Sequence, residues 1–319
     1  MKILITGASG FVGNKTCTYL SNIGYEIFAF SRADCQLPAK ITIIRGESIS
    51  KKFSTKKSLE GIDCIIHLAG RTSIENKNNC SYHEYFKDNV EETLKLAKVS
   101  AKANVKRFIF ISSIKVNGES TNNRDPFIES DIPNPKDNYA LSKHQAELGL
   151  QEISKKTNLE IVIVRPPLIY SEDAKGYFGI ILKIIEKNIP LPFGCFIHNR
   201  RSIIYLENFL NFLVTLIHHP KAANNIFLCS DRNDLSTYNL LKNLYFGMHN
   251  KNYIYKIPIF ILKAFFYLIG KGILFKKLSE SLIIDSSKSF RILNWNPPID
   301  TFSALRKVAN NYYSKDKFL

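Results

Sequence analysis

From Lys2 onward, short apolar runs of β type alternate with longer amphipathic stretches. Runs near 2–6, 25–30, 41–45, 62–68, 106–112 and 159–165 predict strands. Stretches near 11–23, 82–104 and 137–156 predict helices. That alternation is the pattern of an α/β fold with a Rossmann-type, doubly wound parallel sheet. From about residue 170 it fades. Helical patterns at 176–187, 207–219, 236–247, 257–270 and 300–313 are broken by strand-like pieces at 202–206 and 225–229. The expectation is a smaller, mostly helical lobe over the carboxyl ends of the strands, where ligands of such folds bind. Residues 1–170 and 171–319 are the approximate, interleaved divisions. There is no internal repeat and no low-complexity tract.

The first break carries chemistry. The run Ile3 to Ile5 gives way to glycines at 7, 10 and 13, and an amphipathic segment with Phe11, Val12, Leu20 and Ile23 starts at once. Strand, tight glycine turn and helix form the setting in which such a pattern binds a dinucleotide. Gly7 allows the turn, Gly10 lets backbone approach a pyrophosphate, and Gly13 lets helix and strand pack closely. The helix N-terminus then offers free N–H groups to the phosphates.

Composition narrows the class. The chain has 319 residues, room for one large domain or two modest ones. Its six cysteines (17, 35, 64, 80, 195, 229) are scattered, with no CxxC pair and no ligand-spaced cluster. This predicts reduced thiols, a cytoplasmic setting and no metal. A strand beginning at Lys2 leaves no room for a signal peptide before it, in line with that setting. The formal charge of +16 raises nucleic acid and anionic membrane as partners. Because the lysines are spread and no basic run is interleaved with aromatics, we expect a lysine-rich surface and no nucleic-acid partner. The same field suits a substrate that carries phosphates.

The stretch 257–270 is the most apolar in the chain and is interrupted by Lys263. It is shorter than the roughly 20 residues that span a bilayer, so no transmembrane segment is expected. It reads as a buried or interfacial helix; lying on a membrane surface is the alternative, since Lys256, Lys271, Lys276 and Lys277 flank it.

A Rossmann start needs a group that moves a proton while a nicotinamide moves a hydride. In Tyr-x-x-x-Lys the two residues share a helix face, and a nearby ammonium would lower the phenol's pKa. The pattern occurs at Tyr139/Lys143, Tyr238/Lys242, Tyr267/Lys271 and Tyr313/Lys317. Of these, Tyr139 follows a βα-type strand ending in Ser112-Ser113 and a helix start signal, Pro133 to Asp137.

In order along the chain stand Thr6-Gly-Ala-Ser-Gly-Phe-Val-Gly13, His67-Leu68-Ala69-Gly70, Ser112-Ser-Ile-Lys-Val-Asn-Gly118, Tyr139-Ala-Leu-Ser-Lys143 and Arg165-Pro166-Pro-Leu-Ile-Tyr170. Together they resemble the extended short-chain dehydrogenase/reductase family, in its NAD-dependent epimerase/dehydratase branch. The resemblance continues through Leu191 to Gly194, His198 to Ser202 and Ser230-Asp231 to Asp285 to Lys288, nearly the whole chain. Within the branch the wording is similar to UDP-hexose 4-epimerase-like proteins of bacterial surface-polysaccharide pathways, a subgroup that includes 4-ketoreductases of UDP-linked 6-deoxy-N-acetylhexosamines.

The resemblance implies that Tyr139 is the acid/base on the sugar oxygen, that Lys143 holds the nicotinamide ribose and tunes Tyr139, and that Ser113 bonds the same oxygen. It also implies that Gly7, Gly10, Phe11, Val12, Gly13, Leu68, Ala69, Gly70 and Pro166 line the cofactor, that Asn117 faces the substrate, and that the protein is a homodimer packed through 82–104 and 137–156. Departures from the branch are Asn117 where many members have Tyr, Ser171 in place of a glycine, and Tyr177 where an asparagine often holds the diphosphate. Ile114-Lys115 after Ser113, in place of Asp-Glu, discounts a dehydratase.

Two basic residues complete the reading. Guanidinium matches phosphate as a bidentate fork, and Arg201, ahead of the strand-like 202–206, is the expected diphosphate ligand in preference to Arg200. The second strand ends Ser31-Arg32 with no carboxylate until Asp34. Arg32 favours the 2′-phosphate of NADP, and Asp34 leaves the ribose role of NAD open. The expected activity is hydride transfer at C4 of a UDP-hexose or UDP-N-acetylhexosamine, as an epimerase or as an NADPH-dependent 4-ketoreductase. The rival outside enzymes is a non-catalytic dinucleotide sensor.

Overall fold

The computed structural model describes residues 1–72 and 81–315; Cys80 and Lys317 lie outside them. Among the described residues nine strands run β1 Lys2–Thr6, β2 Glu26–Ser31, β3 Thr42–Arg45, β4 Cys64–His67, β5 Arg107–Ile111, β6 Glu160–Arg165, β7 Leu168–Tyr170, β8 Ile203–Tyr205 and β9 Asn225–Leu228. Seven of them form one all-parallel sheet in the order β3-β2-β1-β4-β5-β6-β9. The strand order reverses between β1 and β4, where a crevice opens at the carboxyl ends. β7 and β8 make a separate parallel pair.

The helices are α1 Phe11–Asn22, α2 Ile49–Lys52, α3 Tyr82–Tyr85, α4 Glu92–Lys102, α5 Asn138–Lys156, α6 Gly176–Glu186, α7 Leu206–His218, α8 Thr237–His249, α9 Ile259–Leu268, α10 Gly272–Ser279, α11 Ser287–Leu293 and α12 Thr301–Lys315. A π-helical turn, Phe86–Glu91, joins α3 to α4. The predicted helix at 82–104 is therefore continuous in direction but widened in its second turn, as π turns at functional sites often are.

Both faces of the sheet are covered, which is why its strands read as unbroken apolar runs. On one face Ile3, Ile5, Ile66, Ile109 and Val164 pack on α1 and on Phe209, Phe212 and Leu216 of α7. On the other, Leu4, Ile65, Phe108, Phe110 and Ile163 pack on Leu96 of α4 and Leu150 of α5. The second half of the chain thus returns to the first: α7 and β9 belong to the nucleotide-binding layer. β9 was expected among the pieces of the smaller lobe. With Phe227 and Leu228 fully buried it is instead the sheet's edge strand beside β6. The smaller lobe has its own core, where Leu182 of α6, Leu244 of α8 and Leu305 of α12 meet Tyr170 and Tyr205 of the short pair.

Among the described residues no helix is long and apolar enough to cross a membrane, and no group of His, Cys, Asp and Glu could hold a metal ion.

Candidate active site

The glycines build a cradle at the crevice. Gly7 has φ +75°, and a Cβ there would stand 2.7 Å from the Ala69 nitrogen. A Cβ on Gly13 would stand 2.1 Å from the Gly7 carbonyl oxygen. Helix α1 therefore starts hard against β1, and the loop after β4 lies directly against the glycine turn. No side chain caps α1 at Gly10 and no acid lies in its first turn, so its orphan N–H groups and partial positive charge face the crevice. That geometry fits a pyrophosphate. On the far side, a Cβ on Gly70 would lie 2.9 Å from Asn89 Oδ1 and 3.3 Å from Lys143 Nζ, so Leu68-Ala69-Gly70 connects the cradle to α5.

The loop is fixed from below by a buried polar chain. The Ala69 N–H donates to Thr6 Oγ1 at 3.2 Å. The Thr6 hydroxyl meets His67 Nδ1 at 2.7 Å, and His67 Nε2 meets Thr93 Oγ1 at 2.8 Å. Because the Thr93 hydroxyl donates to the Asn89 carbonyl, it accepts from Nε2–H, which leaves Nδ1 to accept from Thr6. The ring is thus neutral. Burial, with Lys143 adding repulsion, pushes its pKa down to about 3.

Tyr139, Lys143 and Ser113 converge where α5 meets the end of β5. Asp137 caps α5, its Oδ1 accepting from the Ala140 N–H at 2.7 Å. The cap sets Tyr139 in the first turn and Lys143 one turn on. Ser113 begins a short 3-10 turn, its Oγ accepting from the Lys115 N–H at 3.2 Å while hydrogen-bonding the Tyr139 phenol. The ring of Tyr85 packs edge-on to Tyr139 at 6.4 Å.

The expected low phenol pKa is reversed. Burial, then Asp137 and Tyr85, hold Tyr139 up at about 12, and Ser113 is the group pulling it down. The Lys143 ammonium is instead engaged by the Ile111 carbonyl at 2.9 Å and stands over the Phe110 ring. Burial brings Lys143 down to about 8, against the attraction of Glu147.

Behind these groups lies an ion pair that the sequence reading missed. Glu147, another turn along α5, takes a bidentate hydrogen bond from Arg165 at 3.0 and 2.6 Å and also accepts from the Ser112 hydroxyl. The third partner is Asn117. It is almost wholly buried; its Oδ1 accepts from Arg165 at 2.9 Å and its amide donates to the Ile128 carbonyl at 2.9 Å. Expected at the substrate, Asn117 is placed with the support of the serine loop, its polar atoms already engaged. Pro166 contributes its carbonyl, accepting from the Ile114 N–H at 3.0 Å. The spacing 139/143/147 along one helix face was the available signal for Glu147. A second missed link is Lys115, whose ammonium lies 2.6 Å from Asp137 and 3.2 Å from Glu119.

At the end of β2, Asp34 is turned to Arg45 at 2.8 Å, and Arg32 is exposed with a long contact of 3.8 Å to Asp88. Arg201 lies across the site in the smaller lobe. Its Nη1 donates to the Lys277 and Glu280 carbonyls, and burial lowers its pKa against the opposing pull of Tyr177 and Glu280. Lys277 is lowered likewise by burial and by the charges of Lys115 and Arg201, so three cations share this side of the cleft. Arg200 instead bonds the carbonyls of Ile197 and Asn199.

The NAD dependent epimerase/dehydratase family matches residues 3–229. A UDP-glucose 4-epimerase of Vibrio cholerae is 35% identical over 314 residues, covering 97% of this chain and 95% of that protein. Among solved structures, UDP-glucuronic acid 4-epimerase from Bacillus cereus, in complex with NAD, superposes with a TM-score of 0.79 at 19% identity, covering 99% of both chains. UDP-glucose 4-epimerase from Thermotoga maritima, with UDP-glucose, superposes with a TM-score of 0.78 at 20% identity, covering 99% and 100%. At such identities these two share the fold.

Proposed function

The chain belongs to the NAD dependent epimerase/dehydratase family, and from that premise we propose that it is a UDP-sugar 4-epimerase, acting on a UDP-hexose or UDP-N-acetylhexosamine for surface-polysaccharide synthesis. The observation that carries the reading is the convergence of Ser113, Tyr139 and Lys143 beside the glycine cradle. Gly7, Gly10 and Gly13 with the α1 N-terminus would hold the pyrophosphate. Lys143, beside Gly70, would hold the ribose hydroxyls. A nicotinamide bound there would take a hydride from the sugar's C4 and return it.

Tyr139 removes the proton of the 4-hydroxyl and later gives one back to the same oxygen. Ser113 hydrogen-bonds both that oxygen and the phenol, and its single hydroxyl proton, when given to the phenol oxygen, favours phenolate. Burial excludes water, so the charge of Lys143 acts more strongly on the site than it would in bulk solvent. Arg201, with Lys115 and Lys277 near it, neutralises the UDP diphosphate. Asn117 acts through Arg165 and Glu147 as a positioning residue for the serine loop. A homodimer packed through α4 and α5 belongs to the same reading.

One observation favours a second reading, an NADPH-dependent 4-ketoreductase. Arg32 and Arg45 stand at the ends of adjacent strands, with Asp34 occupied by Arg45, an arrangement suited to a 2′-phosphate. Identifying the nucleotide released from the purified, denatured protein separates the two. Stoichiometric NAD supports the epimerase. An empty site, together with NADPH consumption on a UDP-4-keto sugar, overturns it.

A further inference from the structure

Helices α9 and α10 form a hairpin closed by Gly270, whose φ is +68°, and the hairpin is two-faced. Its inner face is complete. Leu262 and Phe266 of α9 and Phe275 and Leu278 of α10 are buried around Phe196. Its outer face has no cover: Phe260 is 72% exposed, Leu268 86% and Ile273 75%, with Ile261, Phe265 and Tyr267 also open. Ordinary monomer surfaces scatter single apolar residues rather than gathering bulky ones on one supersecondary unit. At 10 residues, α9 is about half the length needed to cross a bilayer.

The charge around the hairpin selects what covers it. From Leu235 to Ser279 the chain contains seven lysines and no aspartate or glutamate. Lys256, Lys263, Lys271 and Lys276 are exposed and alternate with the apolar positions on the hairpin itself. Two such faces brought together would set cation against cation, which disfavours a second copy of this chain. An apolar stripe set among lysines is the composition of a helix that lies in a bilayer interface and is drawn to anionic headgroups.

We propose that the α9–α10 hairpin docks this protein on an anionic membrane surface, inserting Phe260, Leu268 and Ile273 at the level of the headgroups. The exit of the hairpin is pinned at the cleft, where Arg201 holds the Lys277 and Glu280 carbonyls. Docking would therefore hold the substrate lobe at the membrane. The inference does not depend on which sugar is turned over.

The test is co-sedimentation of the full chain at low salt with vesicles of phosphatidylcholine alone or mixed with phosphatidylglycerol. Binding is expected to be stronger by about tenfold or more on the anionic vesicles. It should fall at high salt, and fall by about tenfold or more in Phe260→Asp/Leu268→Asp. These two side chains are exposed, so the variant should keep its fold, checked by circular dichroism. A Lys256→Gln/Lys263→Gln/Lys271→Gln/Lys276→Gln variant is expected to lose the preference for phosphatidylglycerol. No sedimentation of the wild type, equal binding to both vesicles, or unchanged binding of the aspartate variant would each overturn the proposal. So would a dimer in analytical ultracentrifugation that the aspartate variant dissolves while the wild type ignores vesicles.

Discussion

The Lys115 ammonium lies 2.6 Å from the carboxylate of Asp137, tying the turn that begins at Ser113 to the cap of the helix that carries Tyr139 and Lys143. Asp137 has two duties that conflict. Its Oδ1 caps α5, and its charge raises the pKa of the Tyr139 phenol. Lys115 offsets the second without disturbing the first. In Lys115→Gln the cap stays, the phenol rises further, and less phenolate is present near neutral pH. We expect kcat to fall by about three- to tenfold and the pH optimum to move upward. Stability should change by about 1 kcal/mol or less, since both groups are partly solvated. A kcat–pH profile beside a urea melt checks both; an unshifted optimum contradicts the coupling.

The Glu147–Arg165 pair predicts a different signature, because it is buried and shared with Ser112 and Asn117. Arg165→Leu or Glu147→Leu alone strands a charge and should cost roughly 3–5 kcal/mol. The double substitution Glu147→Leu/Arg165→Leu should recover more than half of the summed loss, a coupling read from a double-mutant cycle of chemical denaturation. Additive losses would mean that the two groups do not act as a pair. Asn117→Ala leaves an Arg165 donor unpaired, and about 1–3 kcal/mol of destabilisation is expected.

Lys143 illustrates function set against stability. Its folded pKa of about 8 lies below its ordinary 10.5, so at neutral pH the buried ammonium opposes folding. The unfolded chain holds this proton more tightly between those values, and wild-type stability gains from this group as pH rises from about 8 to 10.5. Lys143→Met should be at least as stable as wild type at neutral pH, lack that rise, and lose activity by roughly hundredfold or more. Thermal melts across alkaline pH, paired with turnover, decide it; a clearly less stable variant would contradict the assignment.

His67 titrates in the opposite pH range. It is held neutral down to about 3 in the fold, against 6.5 in the unfolded chain. Its contribution is complete above 6.5 and drains away as pH falls below that value, because the unfolded chain then takes up the proton first. Between pH 7 and pH 5 the linkage amounts to about 2 kcal/mol of lost stability. Comparing urea melts of wild type and His67→Asn at the two values isolates it, since the variant should lack this part of the loss.

Much of this was legible in residue order, and the gaps have physical causes. The parallel sheet could be read because its inner strands are buried on both faces, so β1, β5 and β6 are nearly unbroken apolar runs near helices of clear period. The glycine cradle and the Ser113–Tyr139–Lys143 group could be read because strand, turn and helix fix local geometry. A three-residue strand such as β7 carries too little pattern to be seen; β8 and β9 could be read at 202–206 and 225–229, but nothing in them says which sheet each joins. The pairings that stabilise the site, Glu147 with Arg165 and Lys115 with Asp137, join residues 18 and 22 positions apart and depend on how α5 lies across β6 and the serine loop. The phenol's raised pKa could not be read at all, because it follows from burial and from where the Lys143 ammonium points.

The central claim is that Tyr139 moves the proton of a sugar 4-hydroxyl in a reaction that inverts C4 of a UDP-sugar. It is tested most directly by incubating the purified protein, without added reductant, with UDP-glucose, UDP-galactose and their N-acetylamino counterparts, and following C4 configuration by proton NMR. The account predicts conversion of at least one sugar to its C4 epimer from either direction, with no net consumption of nucleotide cofactor, and a loss of about a hundredfold or more in Tyr139→Phe. No interconversion of any of these sugars, or full turnover by Tyr139→Phe, would contradict it.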